Sequence, residues 1–311
     1  MKSALNIYDV EGLEAAFPVF SDFRCFAEHA RGGVFSVHDH SRGDRVALKL
    51  VRDVGSDEIR HRIMEEFRLL AALPSPHLIR VYQASFTVSR VPTTKIRTTQ
   101  GIIEHLWFTM ELGQSDVRSK LADMRLSERI RIIQQMLEAL CYLHVKKIAH
   151  RDIKPDNLFL VDGQVKVGDF DIARRHAVVP LERPEGPIGT PQYLAPERWQ
   201  PGSEDRDWRP SDQYAAGIVI FELLSRGQLP LSFGQSISNW DWPAVERIHR
   251  QGQLAPLQIP ERMPQPHPAM EQLIRRMLSL EPKQRYLDMR ECYLAFRSAQ
   301  AHDRLDLTDV S

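Results

Sequence analysis

The first third of the chain alternates apolar and polar residues in short runs that are typical of β-strands. Residues 34–39 and 45–51 flank a short polar turn around Gly43. Two alternating runs joined by a glycine-containing turn predict a β-hairpin, because glycine accepts the backbone angles of tight turns. Two further strands are predicted at 79–88 and 102–110.

The segment between these two later strands, residues 90–100, has a different character. It is polar, basic and rich in threonine. We expect a solvated hairpin loop here, because segments that connect strands usually run over the protein surface.

Helical periodicity appears first at residues 57–73 and then dominates from about residue 120 onward. In the first of these helices the apolar residues recur at helical spacing, at Ile59, Ile63, Phe67 and Leu70. A second helix is predicted from Ser127, a typical N-cap residue, to about residue 145. The stretch 212–225 is apolar on nearly all sides, which predicts a helix buried within its lobe.

Composition narrows the class of protein. The chain has 311 residues, with 41 Lys and Arg against 41 Asp and Glu, and this neutral balance disfavours a dedicated nucleic-acid binder. Three widely separated cysteines exclude a disulfide scaffold and indicate a reducing compartment. The longest apolar run, residues 215–224, is too short to span a membrane. We therefore expect a cytoplasmic protein with neither membrane nor nucleic-acid partners, whose oligomeric state the sequence leaves open.

Two polar segments carry the candidate chemistry. One reads His-Arg-Asp-Ile-Lys-Pro-Asp-Asn at residues 150–157, and the other reads Val-Lys-Val-Gly-Asp-Phe-Asp at 165–171. The short spacing suits a hairpin that returns the second segment to the first. Phosphoryl transfer needs a carboxylate for the proton of the nucleophile, oxygen ligands for Mg²⁺ and a cation near the phosphate. The residues that supply these groups are Asp152, Lys154, Asn157 and Asp169.

These segments closely resemble the eukaryotic-type protein kinase family, and the resemblance covers about residues 20–297. The first segment matches the catalytic loop of the family in full, and its lysine is the Ser/Thr-kinase version. By this resemblance Asp152 is the catalytic base and Lys154 contacts the transferring phosphate. Asn157 and Asp169 would hold Mg²⁺, or Mn²⁺ in its place, and ATP would be the phosphate donor.

The resemblance also implies the architecture. The expected fold is α+β, a bilobal protein-kinase-like fold with a small β-rich N-lobe that has one helix, and a larger, mainly α-helical C-lobe. The N-lobe would span about residues 20–110 and the C-lobe about 114–297. Residues 1–19 would form an N-terminal extension and residues 298–311 a polar tail.

The sequence Val-Ala-Leu-Lys at residues 46–49 matches the third-strand lysine motif of the family. Lys49 would pair with the α- and β-phosphates of ATP and with a glutamate on the next helix. Two glutamates compete for this role, Glu65 and Glu66. Glu66 lies three residues after Ile63 and so shares the apolar face of the helix. We therefore assign Glu66.

The phosphate-covering loop departs from the G-x-G-x-x-G-x-V pattern of the family. Aligned on that pattern, residues 30–37 keep only Gly32 and Val37 and add Gly33. Glycine serves there because backbone amides must approach phosphates without an intervening Cβ. Phe35 replaces the third glycine, and we expect its ring to fold over the triphosphate as a lid.

The nucleotide pocket follows from the same resemblance. Its expected members are Val37 and Ala47 as the roof, Phe159 as the floor, Met110 as the gatekeeper, and Glu111, Leu112 and Gly113 as the hinge. Asp116 would contact the ribose or a basic substrate. The nucleotide would lie between the two lobes.

Residues 189–197, Gly-Thr-Pro-Gln-Tyr-Leu-Ala-Pro-Glu, closely match the loop on which the family docks protein substrates. Thr190 would hydrogen-bond around the catalytic base and its neighbouring lysine. Two further roles are structural: Glu197 would pair with Arg285, and Asp212 would hold the backbone of the catalytic loop.

The segment between Phe170 and Thr190 contains no Ser, Thr or Tyr. Kinases with an arginine before the catalytic aspartate, as Arg151 is here, often use it to bind a phosphate in this segment. We therefore expect no switching by phosphorylation there. Glu182 or Glu185 would supply a fixed negative charge instead; the alternative is that both are simply solvated.

Three functions fit this sequence. The first is a kinase that phosphorylates Ser or Thr hydroxyls on proteins, and we expect this one because the catalytic residues are all present. The second is a pseudokinase that binds nucleotide or acts as a scaffold, favoured by the reduced glycine pattern and by Asp171, where the family has glycine. The third is a small-molecule kinase such as an aminoglycoside-type phosphotransferase, which the docking loop disfavours.

Overall fold

The computed structural model describes nine parts of the chain, residues 7–29, 32–52, 60, 67–68, 70–84, 93–169, 190–199, 207–231 and 242–305. These fall into two compact units. The described residues of the first unit lie within Met1–Pro74 and Ile79–Gly113. Those of the second lie within Ser75–Leu78, Gln114–Asp171 and Glu182–Ser311. The first is β-rich and the second mainly helical, which confirms the predicted α+β class.

The first unit contains one antiparallel sheet and a short N-terminal helix. Its elements are α1 (Val10–Ala16), β1 (Phe20–His29), β2 (Gly32–Asp39), β3 (Asp44–Arg52), β4 (Val81–Ala84), β5 (Thr94–Thr98) and β6 (Gly101–Met110). The strand order is β1-β2-β3-β6-β4, and β5 pairs with β6. The predicted hairpin is confirmed as β2–β3, and the two later strands are confirmed as β4 and β6.

The prediction of a loop at residues 90–100 is wrong for its central part. Residues Thr94–Thr98 form β5 and pair with Gly101–His105 of β6. The reason is visible in the alternation, because Ile96 and Thr98 are buried whereas Lys95 and Arg97 are exposed. Ile96 is the only apolar residue on the buried face of this edge strand, so the segment looked like a polar loop in the sequence.

The two faces of this sheet have different roles. One face forms an apolar cluster that α1 covers, made of Leu13, Phe17, Phe20, Phe35, Val37, Val46, Leu48, Leu50 and Ile96. The opposite face, here called the lysine face, contains the cross-strand partners Val34, Ser36, Ala47, Lys49, Phe108 and Met110. Directly paired residues in an antiparallel sheet share a face, so the register assigns each side chain to one of the two.

The second unit combines helices with a small three-stranded sheet. Its elements are β7 (Ser115–Asp116), α2 (Val117–Lys120), α3 (Leu126–Val145), β8 (Leu158–Val161), β9 (Gln164–Val167), α4 (Arg209–Leu224), α5 (Trp242–Gln251), α6 (Pro268–Met277) and α7 (Met289–His302). The sheet order is β7-β8-β9. Within the described residues, no helix is both long and apolar enough to cross a membrane.

Two helices of this unit test the sequence predictions. The buried helix is confirmed as α4, in which every residue from Ser211 to Leu224 is buried. The start of α3 differs from the prediction, because its N-cap is Arg125 and Ser127 lies within the first turn. The Glu128 carboxylate accepts a hydrogen bond from the Arg125 backbone N–H at 2.8 Å, which satisfies a donor that the helix leaves open.

Close packing explains one glycine of α4. A Cβ on Gly217 would lie 2.9 Å from the Cβ of Met277 on α6, closer than such atoms approach. Glycine therefore lets α4 and α6 pack against each other at this point. Of the helix predicted at 57–73, the described residues 67–68 and 70–71 are helical, and Phe67 is buried.

Candidate active site

The segment between α3 and β8, residues 146–157, holds the predicted catalytic residues, and a buried carboxylate fixes its backbone. Asp212, in the first turn of α4, accepts hydrogen bonds from the backbone N–H groups of His150 and Arg151, each at 2.7 Å. His144 contacts the same carboxylate at 2.9 Å. The predicted anchoring by Asp212 is therefore confirmed, and it gives the loop one defined conformation.

Asp152 lies at the centre of a hydrogen-bond network. Its carboxylate accepts from the Lys154 ammonium at 2.7 Å, from the Thr190 hydroxyl at 2.9 Å and from the Asn157 amide at 3.0 Å. The Lys154 ammonium also donates to Thr190 Oγ1 at 2.7 Å. The predicted position of Thr190 around Asp152 and Lys154 is thus confirmed.

This network keeps Asp152 ionised. Burial on its own would raise the pKa of the Asp152 carboxyl, because it disfavours the charged form. The Lys154 charge and the hydrogen bonds from Lys154 and Thr190 outweigh burial and hold the pKa below its usual value. An ionised carboxylate that accepts a hydroxyl proton is the form that a catalytic base requires.

The β8–β9 hairpin returns the chain to the catalytic loop, as its spacing predicted. The Gly168 N–H donates to the Asn157 carbonyl oxygen at 3.0 Å, and His150 Nε2 donates to the Gly168 carbonyl at 3.0 Å. Burial lowers the pKa of His150, so the ring is neutral and its Nε2 carries the proton. Asp169 directly follows this fixed glycine.

Arg151 and Asp169, neither of them glycine, adopt left-handed backbone conformations, which sequence reasoning missed. The φ angle is 77° at Arg151 and 56° at Asp169. Such conformations cost free energy and persist where the surrounding structure imposes them, often at functional sites. Here the Asp212 hydrogen bond to the Arg151 N–H supplies such a constraint.

Two residues of the site offer oxygen ligands to a divalent cation. Asn157 uses its amide nitrogen on Asp152, so its amide oxygen is the ligand it offers. Asp169 adds a carboxylate. Within the described parts of the chain, no group of three or more His, Cys, Asp or Glu residues could hold a metal ion. A pair of protein ligands suits Mg²⁺, which commonly uses one or two carboxylates together with substrate phosphates.

The docking loop is held by a buried ion pair, as predicted. Arg285 donates to both carboxylate oxygens of Glu197, with each distance 2.8 Å. The Ser211 hydroxyl donates to the same carboxylate at 2.8 Å. This arrangement connects the loop to the start of α4 and to the segment before α7.

His249 on α5 is a supporting residue that the sequence did not reveal. Its Nε2 donates to the carbonyl oxygen of Pro191 at 2.9 Å, and its Nδ1 accepts from the Tyr214 hydroxyl at 2.8 Å. The ring is buried, and burial lowers its pKa to about 4. A neutral histidine therefore supports the docking loop one residue after Thr190.

We expect this buried histidine to make stability depend on pH. Its folded pKa lies below the unfolded value of about 6.5, so the unfolded chain binds more protons between these values. The titration of His249 alone should then lower the free energy of unfolding by about 2 kcal/mol between pH 7.5 and pH 5. Urea unfolding at both pH values measures this difference, and His249→Gln should reduce it.

The variant His302→Gln is the matched control, because that histidine lies in the same unit and its side chain is 68% exposed. It should keep the wild-type pH difference. An equal pH difference in wild type and His249→Gln would show that the buried ring does not contribute.

In the first unit, the lysine face brings together three of the predicted nucleotide residues. Lys49 is paired with Phe108 and Ala47 with Met110 across β3 and β6. The Lys49 ammonium lies 5.8 Å from the centre of the Phe108 ring.

The structure corrects the predicted position of Val37 in the nucleotide pocket. It pairs with Val46 and lies in the apolar cluster, on the sheet face opposite Ala47 and Lys49. The residue that pairs with Lys49 is Val34. The roof position predicted for Val37 is therefore wrong, because β2 directs that side chain to the face that α1 covers.

The structure also corrects the prediction that the Phe35 ring covers the triphosphate as a lid. Phe35 is buried in the apolar cluster, with its ring edge-on to Tyr8 at 5.5 Å between centroids, so it does not cover a ligand. Gly32 is required where it stands, because its φ is 144° and a Cβ would lie 2.0 Å from the Leu50 carbonyl oxygen. At Gly33 a Cβ would lie 2.8 Å from the Phe35 ring.

The structure also gives the positions of the other residues that were predicted to line the nucleotide pocket. The Asp116 carboxylate caps α2 by accepting from the Ser119 N–H at 2.8 Å, and Asp116 pairs with Phe159 between β7 and β8. The Glu111 carboxylate accepts from the Arg80 N–H at 3.2 Å. Leu112 follows Glu111 at the end of the first unit. The predicted roles of these residues toward a nucleotide stay predictions.

Several predicted features lie outside the described residues. They are Glu66, Asp171 and the segment between Phe170 and Thr190, with Glu182 and Glu185.

Comparison with known proteins places this site in a family. The family described as Protein kinase domain matches residues 28–293. Pkn1 of Myxococcus xanthus, a serine/threonine-protein kinase, is 30% identical over 89% of this chain and 37% of its own length. PknA of Corynebacterium glutamicum is 29% identical over 91% of this chain and 57% of its own length. PrkC of Bacillus subtilis is 26% identical over 88% of this chain and 39% of its own length.

A solved structure agrees in fold. The crystal structure of Rad53 in complex with AMP-PNP has a TM-score of 0.65 with 20% sequence identity, and the match covers 89% of this chain and 64% of that one. The chain spans between 37% and 57% of the length of the three curated relatives named above. The match over residues 28–293, together with the arrangement around Asp152, confirms the resemblance seen in the sequence. This chain belongs to the protein kinase family.

Proposed function

We propose that this protein transfers the γ-phosphate of ATP to Ser or Thr hydroxyls of protein substrates. The observation that carries the proposal is the buried, ionised Asp152 carboxylate held by Lys154 and Thr190. A base in this setting accepts the proton of an incoming hydroxyl, and the adjacent ammonium offsets the charge that develops on the transferring phosphate. Thr190 fixes the direction of both groups.

Asn157 and Asp169 are the proposed holders of Mg²⁺. When bound, the ion would neutralise charge on the phosphates of ATP. The oxygen ligands on these two residues fit such an ion, and the Asn157 amide is already oriented by Asp152.

On the first unit, Lys49 is proposed to bind the α- and β-phosphates and to pair with Glu66. Phe67, the residue after Glu66, packs against Phe108 with 4.0 Å between ring centroids. Phe108 is itself the cross-strand partner of Lys49. Phe67, the residue after Glu66 in the sequence, therefore contacts the lysine face through Phe108, which supports this pairing. We propose Val34, the cross-strand partner of Lys49, in place of Val37 as the β2 residue that lines this face of the nucleotide pocket.

The docking loop supports protein substrates over small molecules. It is built into the unit by the Glu197–Arg285 pair and by the contact of His249 with Pro191. The relatives named above are serine/threonine-protein kinases. We further propose that activity does not depend on phosphorylation between Phe170 and Thr190, where the sequence has no acceptor, and that the protein acts in the cytoplasm.

The test is phosphate transfer from radiolabelled ATP with Mg²⁺ to a generic acceptor protein, followed by phosphoamino-acid analysis. We expect label on Ser or Thr, and the same rate after phosphatase treatment of the enzyme. Thermal stabilisation by ATP without any transfer would favour the pseudokinase. The absence of both effects would overturn nucleotide binding as well. Loss of activity after phosphatase treatment would overturn only the regulatory part.

A further inference from the structure

Arg118 contacts three separate elements of the second unit. It lies in α2, and its Nε donates to the Asp156 carboxylate at 3.2 Å. One terminal nitrogen donates to the Glu222 carboxylate and the other to the Tyr193 hydroxyl. Asp156 belongs to the catalytic loop, Tyr193 to the docking loop and Glu222 to the buried helix α4. A single guanidinium therefore connects the two loops that frame the reaction.

Glu222 needs this cation because it is buried. Its side chain is 2% exposed, and the Tyr193 hydroxyl donates a second hydrogen bond to it at 2.7 Å. Burial raises the pKa of Glu222, while Arg118 acts against that rise. Asp156 adds a further negative charge nearby and also raises the pKa of Glu222. Without Arg118, Asp156 and Glu222 would lose the cation that both carboxylates contact, and Glu222 would remain buried without it.

The cluster also reaches the surface beside the reacting residues. The Arg118 side chain is 37% exposed and that of Asp156 is 49% exposed. Asp156 precedes Asn157, and Tyr193 lies three residues after Thr190, whose hydroxyl contacts Asp152. Tyr193 also lines the same small pocket as Asp152 and Thr190. A side chain that flanks an acceptor hydroxyl at Asp152 would therefore lie beside the Tyr193 end of this cluster.

We propose that Arg118 occupies the acidic site formed by Asp156 and Glu222 beside the docking loop, and thereby makes the enzyme select acceptor segments without basic flanking residues. This inference rests on the proposed protein kinase function. A substrate arginine that approaches Asp156 and Glu222 meets carboxylates that Arg118 already pairs, together with the positive charge of Arg118 itself. Like charges so juxtaposed disfavour binding, whereas neutral or acidic residues are accepted. Arg118 is thus a positioning residue and a determinant of specificity.

The test uses serine peptides of one sequence in which a single arginine, or alanine as reference, stands at each of three positions on either side of the serine. The kcat and KM values are measured for wild type, Arg118→Leu and Arg118→Lys. Arg276→Leu is the control, since Arg276 also forms a half-exposed ion pair, at 3.1 Å to Glu291, away from the site. The double variant Arg118→Leu/Glu222→Leu removes the buried charge together with its partner.

At one or more positions, we expect Arg118→Leu to raise the arginine-to-alanine ratio of kcat/KM about 10-fold, mainly through a lower KM for the arginine peptide. Arg118→Lys should keep the wild-type ratio with a lower kcat, because an ammonium cannot form the same forked contacts. The double variant should lose most of the gain in ratio, because one of the two carboxylates that would attract arginine is gone. Arg276→Leu should match wild type throughout.

A ratio that stays constant in Arg118→Leu while both peptides lose activity equally would overturn the specificity role and leave only a structural one. Failure of the wild type to phosphorylate any peptide would instead count against the proposed function. In that case, fluorescence anisotropy of the same labelled peptides on wild type and Arg118→Leu decides the inference, since binding needs no catalysis. Tighter binding of arginine peptides to the variant supports it, and equal binding overturns it.

Discussion

Replacing Asp152 with asparagine is expected to lower kcat for protein phosphorylation by about 10²–10⁴-fold, the usual range for a lost general base. Asparagine has nearly the same shape as aspartate, but its single carbonyl oxygen can accept from Lys154 or from Thr190 and not from both, as the carboxylate does. It cannot accept the proton of the substrate hydroxyl. The KM for ATP should change little, because the proposed ATP contacts of Lys49 and Asp169 remain. Steady-state kinetics with varied ATP and acceptor separates these effects.

Asp162→Asn is the matched control for this variant. Asp162 lies in the turn between β8 and β9, with φ of 49°, and asparagine tolerates this conformation well. The control should keep wild-type kcat, since its contact is with Gln114, away from the network around Asp152. If Asp152→Asn kept more than one tenth of the wild-type kcat while Asp162→Asn was fully active, a different group would have to be the base.

The catalytic loop was predictable because its functional residues are adjacent in the sequence. Eight adjacent residues, 150–157, contain the base, the lysine and a metal ligand, and the hairpin that follows is short. Local sequence therefore determined which groups meet. The Asp212 and Glu197–Arg285 contacts join residues that are far apart in the sequence. The family resemblance, rather than any local pattern, made these contacts predictable.

The positions predicted for Val37 and Phe35 from the glycine pattern were wrong because side chains alternate between the two faces of a β-strand. The prediction placed Val37 beside Ala47, but the residue that β2 pairs with Ala47 is Ser36, and Val37 pairs with Val46. Neighbouring residues of a strand point to opposite faces, so an offset of one residue moves a side chain to the other face. Phe35 lies on the same face as Val37, so the predicted lid is in fact a core residue. Only the β2–β3 register reveals which face each side chain occupies.

Long-range contacts account for the other omissions. The segment before residue 20 was predicted to be an extension, yet Leu13 and Phe17 lie in the apolar cluster of the sheet. The Tyr8 hydroxyl also hydrogen-bonds His105 of β6 at 2.7 Å. Seven residues of amphipathic helix give little local signal, and their partners are far away in the sequence. His249 was missed for the same reason.

Replacing Arg285 with methionine is expected to destabilise the second unit by about 3–5 kcal/mol, the range for breaking a buried ion pair. The Arg285 side chain is fully buried. Besides both oxygens of Glu197 it binds the carbonyl oxygens of Ser279 and Pro210, at 2.9 and 2.8 Å. Methionine fills much of the space but makes none of these hydrogen bonds. It would leave the largely buried Glu197 carboxylate with the Ser211 hydroxyl as its remaining side-chain partner among the described residues.

Arg276→Met provides the comparison, because both residues are arginines of the same unit paired with a glutamate at about 3 Å. The Arg276 side chain is 43% exposed, and exposed pairs contribute only about 0–1 kcal/mol. Urea unfolding of both variants should therefore differ by several kcal/mol. The double variant Glu197→Met/Arg285→Met should recover part of the loss, since no unpaired charge remains buried. Equal losses in Arg285→Met and Arg276→Met would show that burial does not determine the strength of the Glu197–Arg285 pair.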